Sequence, residues 1–245
     1  MEKNIKKQRF LTWILTLAAL FSLSCPALAA PASRDLPIYS VDRDDKAVSL
    51  TFDAAWGNED TELLIDILGK YGIRATFFVV GQWVDKYPES VRALHEAGHE
   101  VMNHSDTHPH FTQLSPAAMA AEANACADKI QAVTGARPIL FRPPYGDYND
   151  TVVSTLRQAG FYTIQWDVDS LDWKNPGTNN IVRRVLEKTR SGSILLFHNA
   201  AEQTPAALPA IIEGLQARGY TFLPVSELIY RENYTMDHTG RQMRN

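Results

Sequence analysis

His104-Ser105-Asp106-Thr107-His108 sets two imidazoles four residues apart, a spacing at which one helical turn or one tight loop brings both to a single divalent ion. An ion beside a carboxylate is hydrolytic chemistry, because it polarises a carbonyl and brings the pKa of a bound water toward neutrality. A bare histidine pair also arises by chance on many folds, so the other chemistry-bearing residues carry the weight. Asp53, closing the run Ser49-Leu50-Thr51-Phe52-Asp53, is a candidate base for such a water; alone, an Asp leaving a strand is a turn or helix cap. His198, after the apolar Leu195-Leu196-Phe197, could protonate a leaving group across from Asp53, or sit as a satisfied histidine at the core rim. Arg142-Pro143-Pro144-Tyr145-Gly146 is a stiff turn whose guanidinium could hold Asp53 ionised or lie on the surface. Trp166 to Trp173 crowd Asp167, Asp169 and Asp172 between two indoles, and such acids call for cationic partners, for which His198 and Arg142 are the candidates. Trp56, Trp83, Trp166 and Trp173 offer flat faces for sugar rings, or fill the core.

These residues need a scaffold that gathers distant points of the chain. Strand-like runs at Ala47–Asp53, Ala75–Val80, Glu100–Asn103, Ile139–Arg142, Tyr162–Asp167, Ser193–His198 and Thr221–Pro224 alternate with helical patterns at Asp60–Tyr71, Val84–Ala97, Pro116–Val133, Thr151–Ala159, Asn179–Thr189 and Pro205–Ala217. Strand-then-helix repetition predicts a parallel sheet covered by helices, and seven such strands predict a closed or nearly closed barrel. Gly72, Gly98, Gly135, Gly160 and Gly219 stand where left-handed helix C-caps are wanted, and Ser115-Pro116 supplies an N-cap with proline at the first helical position. Functional groups of parallel α/β folds collect at the C-terminal ends of strands. Asp53, His104, Arg142, Asp167 to Asp172 and His198 all fall there.

The chain of 245 residues, 45% hydrophobic, suits one domain with a large core. Residues 1–29 read as a secretory signal peptide: Lys3, Lys6, Lys7 and Arg9 form a basic head, Phe10 to Ser24 an apolar run, and Ala27-Leu28-Ala29 a small-residue cleavage site. The apolar run is short for a span of about 20 residues, so contact with a membrane is expected only through this segment if it is left uncleaved. The expected place of action is outside the cytoplasmic membrane, secreted or in the cell wall. Without residues 1–29 the chain loses four of its 24 Lys+Arg and one of its 28 Asp+Glu, leaving 20 against 27 and a formal charge of −7, which disfavours nucleic acid. Cys126 is then the lone cysteine, and no internal disulfide is available. Residues 30–45 read as a linker, 46–230 as the domain, and the polar, aperiodic 231–245 as a surface extension. Nothing in the sequence specifies an oligomeric state.

The ordered set Thr51-Phe52-Asp53, His104-Ser105-x-x-His108, Arg142-Pro143-Pro144-Tyr145, Asp169-x-x-Asp172-Trp173 and Leu196-Phe197-His198 closely resembles the five motifs of the NodB-homology polysaccharide deacetylases, carbohydrate esterase family four, over about residues 46–230. The wording Phe52-Asp53-Ala54-Ala55-Trp56-Gly57-Asn58-Glu59 looks most like the sporulation-associated Gram-positive subgroup. The resemblance implies an α/β fold, a distorted seven-stranded (β/α) barrel in a single domain. It further implies removal of N-acetyl groups from amino sugars with a divalent metal, zinc first, with cobalt, nickel or manganese as alternatives. Carried over by position, Asp53 matches the base, His104 and His108 the metal ligands, Arg142 the residue orienting the base, and Tyr145 the residue whose backbone N–H holds the oxyanion. Asp172 matches the acid that tunes the catalytic histidine, and His198 that general acid; Trp173 and Trp56 join Tyr145 as candidate substrate contacts. One position departs from the pattern. The family has a second Asp after the base as third metal ligand, and here Ala54 stands there, leaving Asn58, Glu59, Asp60 or Asp106 to substitute. The expected partner is an N-acetylated glycan, peptidoglycan in the first place. The alternative reading, supported by Ala54, is a noncatalytic glycan-binding or spore-assembly protein on the same barrel.

Overall fold

The computed structural model describes residues 34–245; the signal-peptide reading of residues 1–29 falls outside them. Eight strands of the described chain make the main sheet, and one short strand precedes them. β1 is Ser40–Val41, β2 Ala47–Ala54, β3 Thr76–Val79, β4 Glu100–Asn103, β5 Leu140–Phe141, β6 Tyr162–Thr163, β7 Val168–Asp169, β8 Ile194–His198 and β9 Thr221–Phe222. Between them run α1 (Thr61–Lys70), α2 (Gly81–Lys86), α3 (Pro88–Glu96), α4 (Pro116–Thr134), α5 (Asp150–Gln158), α6 (Thr178–Lys188) and α7 (Thr204–Gln216), followed by α8 (Val225–Leu228). The parallel sheet has the order β6-β5-β4-β3-β2-β8-β7, with β9 added to β2, the expected distorted (β/α) barrel.

Closure is incomplete, and the reason lies in the run read as one strand over Tyr162–Asp167. Its beginning, β6, pairs with β5, while its continuation, β7, pairs with β8. The two edges of the sheet are thus successive parts of one stretch of chain, which bends at Asp167 between them. Ile38 borders the edge, its N–H donating to Thr163 O at 2.8 Å and its carbonyl accepting from Gln165 N at 2.8 Å.

Alternation along β2 divides the interior. Val48, Leu50, Phe52 and Ala54 join the apolar layer beneath the helices, with Phe77, Leu195 and Phe197, whereas Ala47 belongs to a second cluster with Ile38, Phe78, Leu140, Ile164 and Ile194. Odd-numbered Ser49, Thr51 and Asp53 share the Ala47 face. The predicted helix over Val84–Ala97 is broken in two at Tyr87-Pro88, because proline lacks the N–H and drives the residue before it out of the helical region, here to φ −131°, ψ 54°. Ser115 caps α4 through a bond from Ala118 N at 3.3 Å, and all five glycines expected at C-caps have positive φ, from 65° at Gly72 to 89° at Gly160.

The C-terminal residues read as aperiodic extension form a hairpin, β10 (Tyr234–Met236) and β11 (Arg241–Arg244), which with β1 makes a three-stranded sheet. Its strands are short and polar, so the pattern gave no apolar alternation to read. The linker contributes β1 to the same sheet. Gly192, at φ 77°, lets this strap approach, since a Cβ there would fall 1.7 Å from the Val41 carbonyl oxygen. Among the described residues no helix is long and apolar enough to cross a membrane.

Candidate active site

Register brings the chemical groups together. β2 and β8 are adjacent and pair Asp53 with His198, placing the expected base and acid side by side. β4 and β5 pair Asn103 with Phe141, so the next residue of each chain, His104 and Arg142, leaves the sheet together; Arg142 N donates to Asn103 O at 2.9 Å.

Asp53 and Arg142 form a buried pair. Arg142 is fully buried and Asp53 5% exposed, and Nη1 donates to Asp53 Oδ1 at 2.6 Å. Nη2 is shared between Thr51 Oγ1 at 2.9 Å and Gln165 O at 3.2 Å, while the guanidinium carbon lies 4.1 Å from the Phe78 ring centroid. Burial alone would raise the Asp53 carboxyl, but the Arg142 guanidinium, helped by His104 and His198, outweighs it and holds the group below the usual carboxylate range.

His198 and Asp172 form the second couple. Asp172 is fully buried, and its Oδ1 lies 2.8 Å from His198 Nδ1. The carboxylate also accepts from His198 N at 2.8 Å, Trp173 N at 2.9 Å and Thr204 Oγ1 at 2.6 Å. Burial pulls the imidazole down, yet the Asp172 bond and the charges of Asp53 and Asp169 prevail, so His198 titrates above its ordinary value.

The histidine pair lies on the loop after β4. His104 Nδ1 is 2.7 Å from the Arg142 carbonyl; a carbonyl oxygen only accepts, so in the neutral ring Nδ1 carries the proton and Nε2 presents its lone pair. Nε2 is 3.6 Å from Asp53 Oδ2, and the His108 ring stands edge-on with centroids 4.9 Å apart. Burial lowers both imidazoles, His108 to about 4 with His104 adding to the effect. Two neutral rings with an oriented lone pair are donors of the right kind for zinc or a similar ion. They fall short in number: among the described residues no group of three or more His, Cys, Asp or Glu could hold an ion.

The position that departs from the motif is accounted for by the sheet, as Ala54 packs into the helix-side core opposite Asp53. Of the four candidate substitutes, Asn58 donates to Ser90 Oγ at 3.0 Å, Asp60 Oδ2 accepts from Ala200 N at 2.9 Å, and Asp106 is bound by Lys129 at 2.6 Å. Glu59 folds against Gly57. None of the four lines the cleft.

That cleft, of about 790 Å³, is lined by Asp53, Trp56, His104, His108, Tyr145, Trp173 and His198, joined by Trp166, Asp169, Leu196 and the turn Asn199–Glu202. Arg142 and Asp172 stand behind it, bonded to the two groups they serve. Trp56, Tyr145 and Trp173 are 57%, 62% and 57% exposed, a rim of open aromatic faces. The Tyr145 ring stacks on His110 at 4.2 Å. Six of the eight non-glycine residues with positive φ among the described residues, Ser105, His108, Tyr145, Leu171, Asn175 and Ala200, lie on loops at this end of the sheet. Such strain costs about 1–3 kcal/mol each and persists where the surroundings over-determine it.

Sequence reasoning missed three residues that hold these loops. Thr51 bridges Arg142 and the Leu195 carbonyl, the latter at 2.7 Å; standing two before Asp53, it shares a strand face with it, a signal that was available. Thr204 supports Asp172. Asn199 accepts from Ala55 N at 3.2 Å, donates to the Gly57 carbonyl through Nδ2, and its own N–H reaches Asp53 O at 3.0 Å. No sequence signal marks it.

The sequence and the fold have counterparts among known proteins. A family model described as polysaccharide deacetylase matches residues 40–164. The chain belongs to the polysaccharide deacetylase family. This is a family of hydrolases, and its members similar to this chain include the peptidoglycan-N-acetylmuramic acid deacetylase PdaC of Bacillus subtilis, 38% identical over 77% of this chain and 40% of that protein. The peptidoglycan-N-acetylglucosamine deacetylase of Bacillus cereus is 36% identical over 78% of this chain and 92% of its own length. Among solved structures, a family-four pseudoenzyme from Bacillus anthracis is 32% identical with a TM-score of 0.77, over 85% of this chain and 71% of that one. The chain spans 66% and 40% of the length of the first curated relatives it matches.

Proposed function

We propose that this polysaccharide deacetylase removes N-acetyl groups from the amino sugars of cell-wall glycan, with peptidoglycan as the substrate. The observation that carries the reading is the pair of opposed couples on adjacent strands: a carboxylate whose ionised form a buried arginine favours, beside an imidazole whose protonated form a buried carboxylate favours. Acid and base chemistry at one point is what amide hydrolysis requires, and glycan binding alone has no use for it.

In this reading Asp53 takes a proton from the attacking water as the oxygen joins the acetyl carbon, and Arg142 keeps Asp53 ready for it. The Tyr145 backbone N–H stabilises the oxyanion. His198 then delivers its proton to the sugar nitrogen as the C–N bond breaks, giving acetate and a free amine, and Asp172 holds the imidazolium until that moment. Trp56, Tyr145 and Trp173 stack on the sugar faces. His104 and His108 would hold a divalent ion, zinc by preference, which when bound supplies polarisation of the acetamide carbonyl and acidification of the water. Waters would complete its coordination, and the binding is weaker than at a site with a carboxylate after the base. Action outside the cytoplasmic membrane, in the Gram-positive cell wall and in sporulation, rests on the leader-like residues 1–29 and on the wording of the Asp53 motif.

Acetate release from N-acetylglucosamine oligomers and from peptidoglycan, with and without zinc or cobalt, tests this directly. Release that a chelator suppresses and Asp53→Asn abolishes is the expected result, and comparison of the substrates separates N-acetylglucosamine from N-acetylmuramic acid. The second reading, a glycan-binding protein without turnover, is favoured by Ala54 and by the likeness to a pseudoenzyme. Stoichiometric metal with no turnover on any acetylated glycan would establish it.

A further inference from the structure

In the loop that carries the histidine pair, every amide from Ser105 to His108 is held by a side chain. Its four successive amides donate in turn: Ser105 N to Asn103 Oδ1 at 2.9 Å, Asp106 N and Thr107 N to Glu122 Oε2 at 3.0 and 2.8 Å, and His108 N to Ser105 Oγ at 3.0 Å. The Thr107 hydroxyl adds a bond to Glu122 Oε1 at 2.8 Å. One carboxylate therefore gathers three donors from the two residues midway between the histidines. The face of α4 that carries Glu122 serves the loop again two turns later, where Lys129 binds the Asp106 carboxylate at 2.6 Å. The loop's own carbonyls close the arrangement, Ser105 and Asp106 accepting from Gly81 N and Gln82 N at 2.9 Å each.

Such anchoring is needed because the loop does not favour its own shape. Ser105 has φ 70° and His108 φ 61°, left-handed values that cost a non-glycine residue energy in isolation. Released, the loop would relax toward ordinary backbone and carry the His108 ring away from His104. The two-imidazole site has no carboxylate from Ala54 to recruit an ion, so any ion would otherwise have to order the loop on arrival.

We propose that Glu122 is the positioning residue of this site. From α4 it fixes the histidine loop in its left-handed form and so presets the His104–His108 geometry before an ion binds. The inference rests on the reading of these two histidines as metal ligands. Glu122 touches neither the ion's ligands nor the substrate cleft; it acts through the amides of Asp106 and Thr107.

The test compares the full-length chain with Glu122→Ala and Glu122→Gln by amide hydrogen exchange without metal and by calorimetric titration with zinc. In Glu122→Ala the Asp106 and Thr107 amides should exchange at least about tenfold faster while the core amides of Phe52 and Val79 keep their rates, showing that the fold is intact. Zinc affinity should fall roughly 10–100-fold, the range seen when groups supporting metal ligands are removed. Glu122→Gln, whose side-chain oxygen still accepts, should recover part of both. Unchanged exchange and affinity in Glu122→Ala would overturn the proposal, as would faster exchange with zinc affinity intact. A wild-type chain that takes up neither zinc nor cobalt would instead overturn the metal reading, and the exchange rates alone would then decide whether Glu122 orders the loop.

Discussion

Asp172→Asn changes one buried oxygen to an amide nitrogen and leaves the volume nearly constant, so its consequences come from charge and hydrogen bonding alone. The wild-type carboxylate accepts four bonds: Oδ1 from His198 Nδ1 and Trp173 N, Oδ2 from His198 N and Thr204 Oγ1. An asparagine serves only one of these pairs with its oxygen and turns N–H toward the other, stranding at least one buried backbone N–H. A stranded donor costs about 1–3 kcal/mol, and the lost charge-assisted bond to the imidazolium about 1.5–3 kcal/mol, so roughly 2.5–6 kcal/mol of stability is at stake while His198 is charged. The pH dependence has a definite sign. His198 titrates above its ordinary value in the folded protein, so its contribution is fully present below the unfolded-state pKa and is lost as pH rises through the raised folded one. The stability gap between wild type and Asp172→Asn should therefore be largest in acid and narrow toward alkaline pH, as read by urea denaturation across the pH range. Acetate release should fall roughly 10–150-fold near neutrality, the rate equivalent of about 1.5–3 kcal/mol, with the alkaline limb of the pH–rate profile displaced toward acid. A gap that is flat from acid to alkaline pH, together with an unmoved alkaline limb, would refute the charge coupling of Asp172 to His198.

Four further outcomes are expected. Arg142→Met should lower the unfolding free energy by about 3–5 kcal/mol, because it strands a buried carboxylate, and should raise the Asp53 carboxyl so that activity survives only at higher pH; denaturation and pH–rate measurements check both. Trp173→Ala should raise KM for glycan oligomers about 2–12-fold with little change in kcat, equivalent to about 0.5–1.5 kcal/mol for one ring contact. Asn199→Ala should free the Ala55–Gly57 segment and raise KM while increasing acrylamide quenching of Trp56, read against Trp56→Phe. Zinc retention, followed by elemental analysis after dialysis, should persist on acidification until the pH approaches about 4, where His108 takes a proton; early loss near pH 6.5 would contradict its burial.

Much of this molecule was legible in its sequence, and for identifiable reasons. Strands buried on both faces are written as short apolar runs, and helices between them carry their own stops, so the strand that begins at Ala47 and the C-capping Gly135 could be placed without coordinates. Asp53, His104, Arg142 and His198 stood at strand ends because a parallel sheet sends all its strand ends to one side. Local chemistry could not decide the rest. The run from Tyr162 to Asp167 reads as one strand, whereas only its first residues pair with β5 and the ladder to β8 begins past its end at Val168. The C-terminal hairpin was invisible because its strands are short and polar, and its pairing with β1 joins opposite ends of the described chain. Whether Asp106 could replace the carboxylate absent at Ala54 was likewise open until Lys129 was seen to hold it. By itself the sequence determined which groups exist and at which end of the sheet they emerge, since those follow from periodicity along the chain. Tertiary structure alone decided their partners, because Arg142 against Asp53, Asp172 against His198 and Glu122 against the histidine loop are contacts set by strand register and helix packing.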